Sequence, residues 1–287
     1  MPRRRSSNHR GRPRPAVGDG GASRSLTLAG MPTLILVRHG RSTANTSGLL
    51  AGRTPGVALD EYGQTQAESL PDRLGALPLA AVVSSPMQRC QETLAPLTRA
   101  RPGLPVHTDE RISECDYGDW SGRKLAELLE EPLMTTVQQH PSAAAFPGGE
   151  SMRDMQARAV EAVREWNGRI EEEHGAGALY AMCSHGDIIK SVVADALGMH
   201  LDLFQRISVG PCSLTVIRYT ALRPFLLRLG ETGELDSLVP PERPAEEAEP
   251  AAAGEGAADG AEDASRKPGG EDRSREQGSN ATVGGGA

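Results

Sequence analysis

The chain has 287 residues, of which 38% are hydrophobic and 24% charged, and carries a formal net charge of −7. That is long enough for a substantial core, and no run approaches the roughly 18 consecutive apolar residues a membrane helix needs, so a membrane partner is not expected. The net charge sums a basic arm, an acidic tail and a moderately acidic middle, and therefore says little about any site.

Residues 1–30 hold seven arginines against one acid, with Gly, Pro and Ser between them and no apolar periodicity. They read as a disordered basic arm. Such an arm can bind nucleic acid or anionic lipid, but a solvated extension, or an upstream start ahead of a natural beginning at Met31, is the simpler account, and nucleic acid is not the expected partner. The arm shares the Arg-rich composition of an organelle transit peptide without the apolar face of one, and no secretory apolar core is present. Residues 236–287 turn to Pro, Ala, Gly, Glu and Asp and read as a disordered acidic low-complexity tail. Between them, residues 31–235 form the expected folded domain. Cys90, Cys115, Cys183 and Cys212 show no CxxC spacing. They read as reduced thiols, which points to the cytoplasm.

Strand-like and helix-like segments alternate through this middle region, the pattern of an α/β fold with a largely parallel sheet. The first candidate strand, 33–38, is a short aliphatic run that ends in Arg38-His39-Gly40. In open α/β sheets, ligands bind at such strand ends. Arginine is a permanent cation whose planar fork matches phosphate oxygens, and a neutral imidazole can attack phosphorus and hold the transferred group. Ser42, Thr43 and Asn45 follow, short polar groups able either to bond phosphate oxygens or to cap the next helix.

Residues 61–74 are helical in pattern, but Pro71 predicts a kink or split there. After a strand at 80–84, Ser85-Pro86 is expected to open a helix that carries Arg89 in its first turn, where an anion would meet the guanidinium and the helix N-terminus together. A strand at 104–107 leads to a turn-rich stretch with acids at Glu114, Asp116 and Asp119. One of them could protonate a leaving oxygen, and composition does not choose among them. Ser151-Met152-Arg153-Asp154 resembles a capping box opening a long helix to about residue 173. A strand at 178–184 then delivers a second His-Gly pair, His185-Gly186, and strands at 213–218 and 225–229 close the region. Repetition of a titratable device at equivalent strand ends is poorly explained by packing, where ring nitrogens would need partners. Phosphoryl transfer is the chemistry it fits. Zinc ligation by two histidines and a carboxylate is the weaker reading, because no spacing such as HExxH occurs, and neither a metal nor another cofactor is expected.

The run Arg38-His39-Gly40-Arg41-Ser42-Thr43-Ala44-Asn45 resembles the signature that opens the histidine phosphatase superfamily, which includes cofactor-dependent phosphoglycerate mutases. Segments 59–67, 84–93, 114–122, 147–151 and 184–187 resemble its later blocks in family order, so the likeness covers about residues 31–220. It implies a phosphoglycerate mutase-like three-layer α/β/α sandwich with a mostly parallel central sheet. It also implies His39 as the nucleophile that becomes phosphohistidine, Arg38, Arg89 and His185 as phosphate ligands, and Glu114 as the general acid. Ser42 and Asn45 would assist phosphate binding. Arg41, Arg53, Tyr117 and Lys124 could reach the pocket mouth, as could Leu49, Trp120 and Glu150, though each has a surface or packing reading as well.

The expected activity is a metal-independent phosphomonoesterase acting on a small phosphorylated metabolite. A mutase must hold a second small acid through basic side chains. Here the stretch at 123–147 is short, Lys124 is the only lysine near, and Asp187 stands where the mutase pattern has asparagine. Tyr117 does match a mutase-like position, so a phosphoglycerate mutase-type phosphomutase is the first alternative. A non-catalytic phosphate-binding module is the second. Substrate identity, and the choice between monomer and homodimer, are left open.

Overall fold

The computed structural model describes residues 30–233. The expected basic arm, but for Gly30, and the expected acidic tail lie outside the described residues. Six strands form one sheet: β1 (Gly30–Arg38), β2 (Leu79–Ser84), β3 (Val106–Thr108), β4 (Leu179–Ser184), β5 (Leu214–Thr220) and β6 (Phe225–Glu231). Their order is β3-β2-β4-β1-β5-β6. The first four in that order are parallel, whereas β5 is antiparallel to β1 and to β6.

Among the described residues, eight α-helices accompany the strands: α1 (Thr43–Thr46), α2 (Glu61–Glu68), α3 (Leu70–Leu74), α4 (Gln88–Ala100), α5 (Leu125–Leu128), α6 (Pro132–Gln139), α7 (Met152–His174) and α8 (Gly186–Ala196). They cover both faces of the sheet. Leu34 and Leu36 of β1 join one buried cluster with Met155, Ala159 and Val163 of α7 and Ile189 and Val193 of α8. Ile35 and Val37 point the other way, into a second cluster with Leu70 and Leu74 of α3 and Leu94 and Leu97 of α4. Burial on both faces is why β1 reads as continuous aliphatic residues with no polar alternation. The expected three-layer α/β/α sandwich with a mostly parallel sheet is what the chain adopts.

Local differences from the sequence reading have local causes. The 61–74 helix divides at Ser69, so that Pro71 falls in the first turn of α3, where a missing N–H is harmless. The helix bearing Arg89 opens at Gln88, later than Ser85-Pro86. The Ser85 N–H still bonds Cys183 O at 2.9 Å, so the chain stays extended beyond β2. Ser151 does cap α7, accepting from the Asp154 N–H. The short helices α5 and α6 went unassigned, each being too brief to show a period.

Gly63 in α2 makes the tightest of these packings. A Cβ there would lie 1.9 Å from Arg41 O, two residues beyond His39. Gly63→Ala is expected to destabilise the fold by about 1–3 kcal/mol in urea denaturation, because backbone rather than a flexible side chain must move.

Candidate active site

Parallel pairing sets Arg38 of β1 opposite Ser184 of β4, so the two His-Gly turns leave the sheet side by side. The His39 N–H continues the ladder to Ser184 O at 2.9 Å, and the His39 and His185 ring centroids are 5.2 Å apart. Arg38, His39, Arg89, Glu114 and His185 are all buried. His39, Ser42, Asn45, Arg89, Glu114 and Tyr117 line one narrow pocket, together with Leu49, Leu50, Ala51 and Gly52. A separate depression at the start of β2, lined by Leu79, Ala80, Arg101, Leu104, Pro105 and His174, holds none of these groups.

The two imidazoles have opposite hydrogen-bond roles. His39 Nδ1 lies 2.7 Å from Gly40 O, and a carbonyl only accepts, so Nδ1 carries the proton and the Nε2 lone pair is left available. His185 Nδ1 instead accepts from Arg89 Nη2 at 3.0 Å, which places its proton on Nε2, donated to Ser85 Oγ at 2.8 Å. Burial, then the nearby Arg89 guanidinium, hold both rings well below the ordinary histidine range. Both are therefore neutral at pH 7.

Cationic charge comes from the arginines. Arg89 also donates to Gly52 O at 2.9 Å, while its buried Nε has no hydrogen-bond partner among the described residues. Arg38 donates to Val209 O at 2.7 Å, and burial lowers its pKa to about 10, which leaves it charged at neutral pH. Glu114 Oε1 accepts from the Cys115 N–H at 2.9 Å. Burial, then the neighbouring Asp187, push the Glu114 carboxyl up to about 7. Two guanidiniums facing a half-protonated carboxyl leave the pocket short of negative charge, the condition that draws in an anion.

Ser42 and Asn45 do line the pocket, and they also form a reciprocal capping box on α1, with Ser42 N and Oγ both donating to Asn45 Oδ1. Of the suggested mouth residues, Tyr117 is in place. Arg53 donates to Glu114 O at 3.0 Å and pairs with Glu150 at 3.1 Å. Arg41 is engaged by Asp60 at 2.6 Å and lies over the Tyr62 ring, and Lys124 is exposed at the start of α5. Arg41, Arg53 and Lys124 do not line the pocket, and neither do Arg38 and His185, which the resemblance makes phosphate ligands.

Several supporting groups had no signal in the sequence. Thr93 accepts from the Gly40 N–H and donates to Arg89 O, tying the His39 turn to α4. Arg158, bonded to Glu150, donates to the carbonyls of Arg111, Ser113 and Glu114 and so holds the acid-bearing loop. Cys212 adopts φ 57°, unusual for a side-chain-bearing residue, while its N–H bonds His39 O at 3.0 Å. All four cysteines are buried and free, and burial pushes the thiols of Cys115 and Cys183 up, that of Cys212 to about 11, so these three are poorly nucleophilic. Among the described residues no group of three or more His, Cys, Asp or Glu is arranged to hold a metal, and no helix is long and apolar enough to cross a membrane.

Residues 34–232 match the histidine phosphatase superfamily (branch 1), and the chain belongs to that family. It is 30% identical over 213 residues to phosphoserine phosphatase 1 of Hydrogenobacter thermophilus, covering 71% of this chain and 95% of that one. It is 27% identical over 219 residues to 2,3-bisphosphoglycerate-dependent phosphoglycerate mutase 2 of Gloeobacter violaceus, covering 75% and 97%. Among solved structures, Bacillus stearothermophilus YhfR superimposes with a TM-score of 0.63 at 30% identity, over 70% of this chain and 97% of that one.

The tautomers are directly measurable. Nitrogen-15 NMR of the imidazoles is expected to show His39 protonated on Nδ1 and His185 on Nε2. Neither should titrate between pH 8 and 6, because a depressed pKa delays protonation to lower pH.

Proposed function

We propose that the protein is a phosphomonoesterase that works through a phosphohistidine on a small phosphorylated metabolite, in the cytoplasm, with residues 31–235 as its catalytic domain. The observation that carries this reading is a buried pocket lined by His39, Arg89 and Glu114, in which the His39 Nε2 lone pair is left available and the His185 ring lies 5.2 Å from that of His39. The phosphatase name of one relative and the four free cysteines agree with it.

In this reading Arg38 and Arg89 hold the non-bridging oxygens and stabilise the charge that spreads over them in the transition state. His39 Nε2 attacks phosphorus, the bond to the ester oxygen breaks, and Glu114 gives that oxygen its proton. The resulting Glu114 carboxylate then takes a proton from the water that attacks the phosphohistidine, which releases inorganic phosphate and frees His39. For His185 to donate to phosphate, Nδ1 must first be protonated, a change that the negative charge of a bound phosphate favours.

A mutase must hold a second acid over the pocket, and the two arginines suggested for the mouth are committed elsewhere. Arg53 faces Glu150 and Asp116, and Arg41 faces Asp60 and Tyr62. Those pairings support hydrolysis, although the resemblance to a named mutase keeps phosphate exchange as the second reading.

Phosphate release from a panel of phosphate monoesters, with and without 2,3-bisphosphoglycerate and 3-phosphoglycerate, separates the two. Release without exchange is expected, and exchange between phosphoglycerates would identify a mutase. His39→Ala should lose both turnover and the acid-labile, base-stable phosphoenzyme, and label appearing on Ser42 or His185 instead would move the nucleophile. Glu114→Gln should lower kcat on an alkyl phosphate about 10²- to 10⁴-fold, or roughly 3 to 5 kcal/mol. It should also remove the fall in activity above pH 7 that follows loss of the Glu114 proton.

A further inference from the structure

Two peptides follow His39, and side chains from two helices hold them. The first joins His39 to Gly40. Its carbonyl, His39 O, accepts from the Cys212 N–H at 3.0 Å, and its N–H donates to Thr93 Oγ1 of α4 at 2.9 Å. The second joins Gly40 to Arg41. Its carbonyl is the Gly40 O that lies 2.7 Å from His39 Nδ1, and its N–H donates to Gln66 Oε1 of α2 at 2.9 Å. The same Gln66 side chain donates through Nε2 to Pro211 O at 3.4 Å. An N–H only donates and a carbonyl only accepts, so the two partners fix the orientation of the Gln66 amide. Gln66 Oε1, the Arg41 N–H, the Gly40 carbonyl and the His39 Nδ1–H thus form one continuous hydrogen-bond chain that ends on the imidazole.

A hydrogen bond accepted from a peptide N–H polarises that peptide and strengthens its carbonyl as an acceptor. Gln66 therefore acts on the Nδ1 proton without touching the ring. The turn also has little room to rotate. A Cβ at Gly40 would lie 2.8 Å from Gly63 O, and Thr93, fully buried, donates in turn to Arg89 O at 2.6 Å. A catalytic imidazole is commonly oriented by a third group such as a carboxylate. Here a peptide carbonyl fills that place. We propose that Gln66 is a positioning residue for His39, which together with Thr93 holds the two peptides so that Nδ1 keeps its proton and Nε2 keeps its lone pair.

The backbone of Gln66 has a separate task that any residue could perform, since Cys212 Sγ donates to its carbonyl at 3.3 Å. The side-chain amide is what depends on residue type. A Gln66 that only satisfied the Arg41 N–H would cost stability when removed, because that donor would lose its partner, but it would leave the His39 proton where it is. A positioning Gln66 moves the proton as well. The effect on turnover rests on the phosphatase reading, whereas the tautomer of His39 does not.

The test is nitrogen-15 NMR of His39 in the full chain, assigned by the loss of its signals in His39→Ala, combined with kcat and KM on p-nitrophenyl phosphate, whose leaving group needs no proton from Glu114. Gln66→Met keeps the length of the side chain and removes the acceptor, whereas Gln66→Glu keeps the acceptor. In Gln66→Met a measurable share of His39 is expected to carry its proton on Nε2, where no lone pair remains for phosphorus. Its kcat should fall about 10- to 100-fold while KM holds. Gln66→Glu should retain the Nδ1 proton and most of the rate. Thr93→Val, which removes both of its hydrogen bonds at nearly constant shape, should behave like Gln66→Met, and Thr93→Ser like the parent. If a variant at one position does not fold, the pair at the other position decides. An unchanged His39 tautomer in Gln66→Met and Thr93→Val would overturn the proposal, as would a loss in Gln66→Glu equal to that in Gln66→Met, or a moved proton with kcat unaltered. A moved proton in a protein that turns over no phosphate ester would uphold the peptide-held imidazole and discard the phosphatase reading.

Discussion

The active-site arrangement depends on the parallel register of β1 against β4. With Arg38 opposite Ser184, the chain leaves both strands at the same level, and His39 and His185 emerge as neighbours at the open end of the sheet. A slip of one residue would send every side chain of β1 to the opposite face, exchanging Leu34 and Leu36 for Ile35 and Val37 between two differently shaped clusters. Core packing therefore enforces the register, and the register places the imidazoles. The catalytic geometry is in this sense a by-product of two aliphatic strands buried on both faces.

Around that pair, burial and charge set the protonation state of each group, and those states suit the proposed chemistry. Burial beside two guanidiniums keeps the imidazoles neutral, and their hydrogen bonds leave the lone pair on Nε2 in His39 and on Nδ1, facing Arg89, in His185. The same burial, reinforced by Asp187, holds a proton on Glu114 close to neutral pH. One low-dielectric site thus holds neutral imidazoles and a proton-bearing carboxyl together, because desolvation disfavours the charged form of both. The arginines keep their charge since their intrinsic pKa values are far higher.

Legibility in the sequence followed the range of the signal. Arg38-His39-Gly40 and His185-Gly186 were readable because each sits where an aliphatic run stops, and the Ser151 cap because it is written within four residues. The start of α4 was misplaced because the Ser85 N–H remains bonded to β4, a partner about a hundred residues away that no local pattern reveals. Arg158 was unreadable for the same reason. It lies on α7, and its value comes from the carbonyls of a loop more than forty residues earlier in the chain.

By itself the sequence determined the fold class, the two strand-end histidines, the arginines beside them and the family to which they belong, since these are carried by short segments whose chemistry is intrinsic. The tertiary structure alone decided which nitrogen of each ring bears a proton, that Arg41 and Arg53 are occupied by Asp60 and Glu150, and that Asp187 stands within electrostatic reach of Glu114. Those properties depend on burial and on distances between groups remote in the chain. Neither is a function of residue type or spacing, and both come into being only when the sheet closes its register.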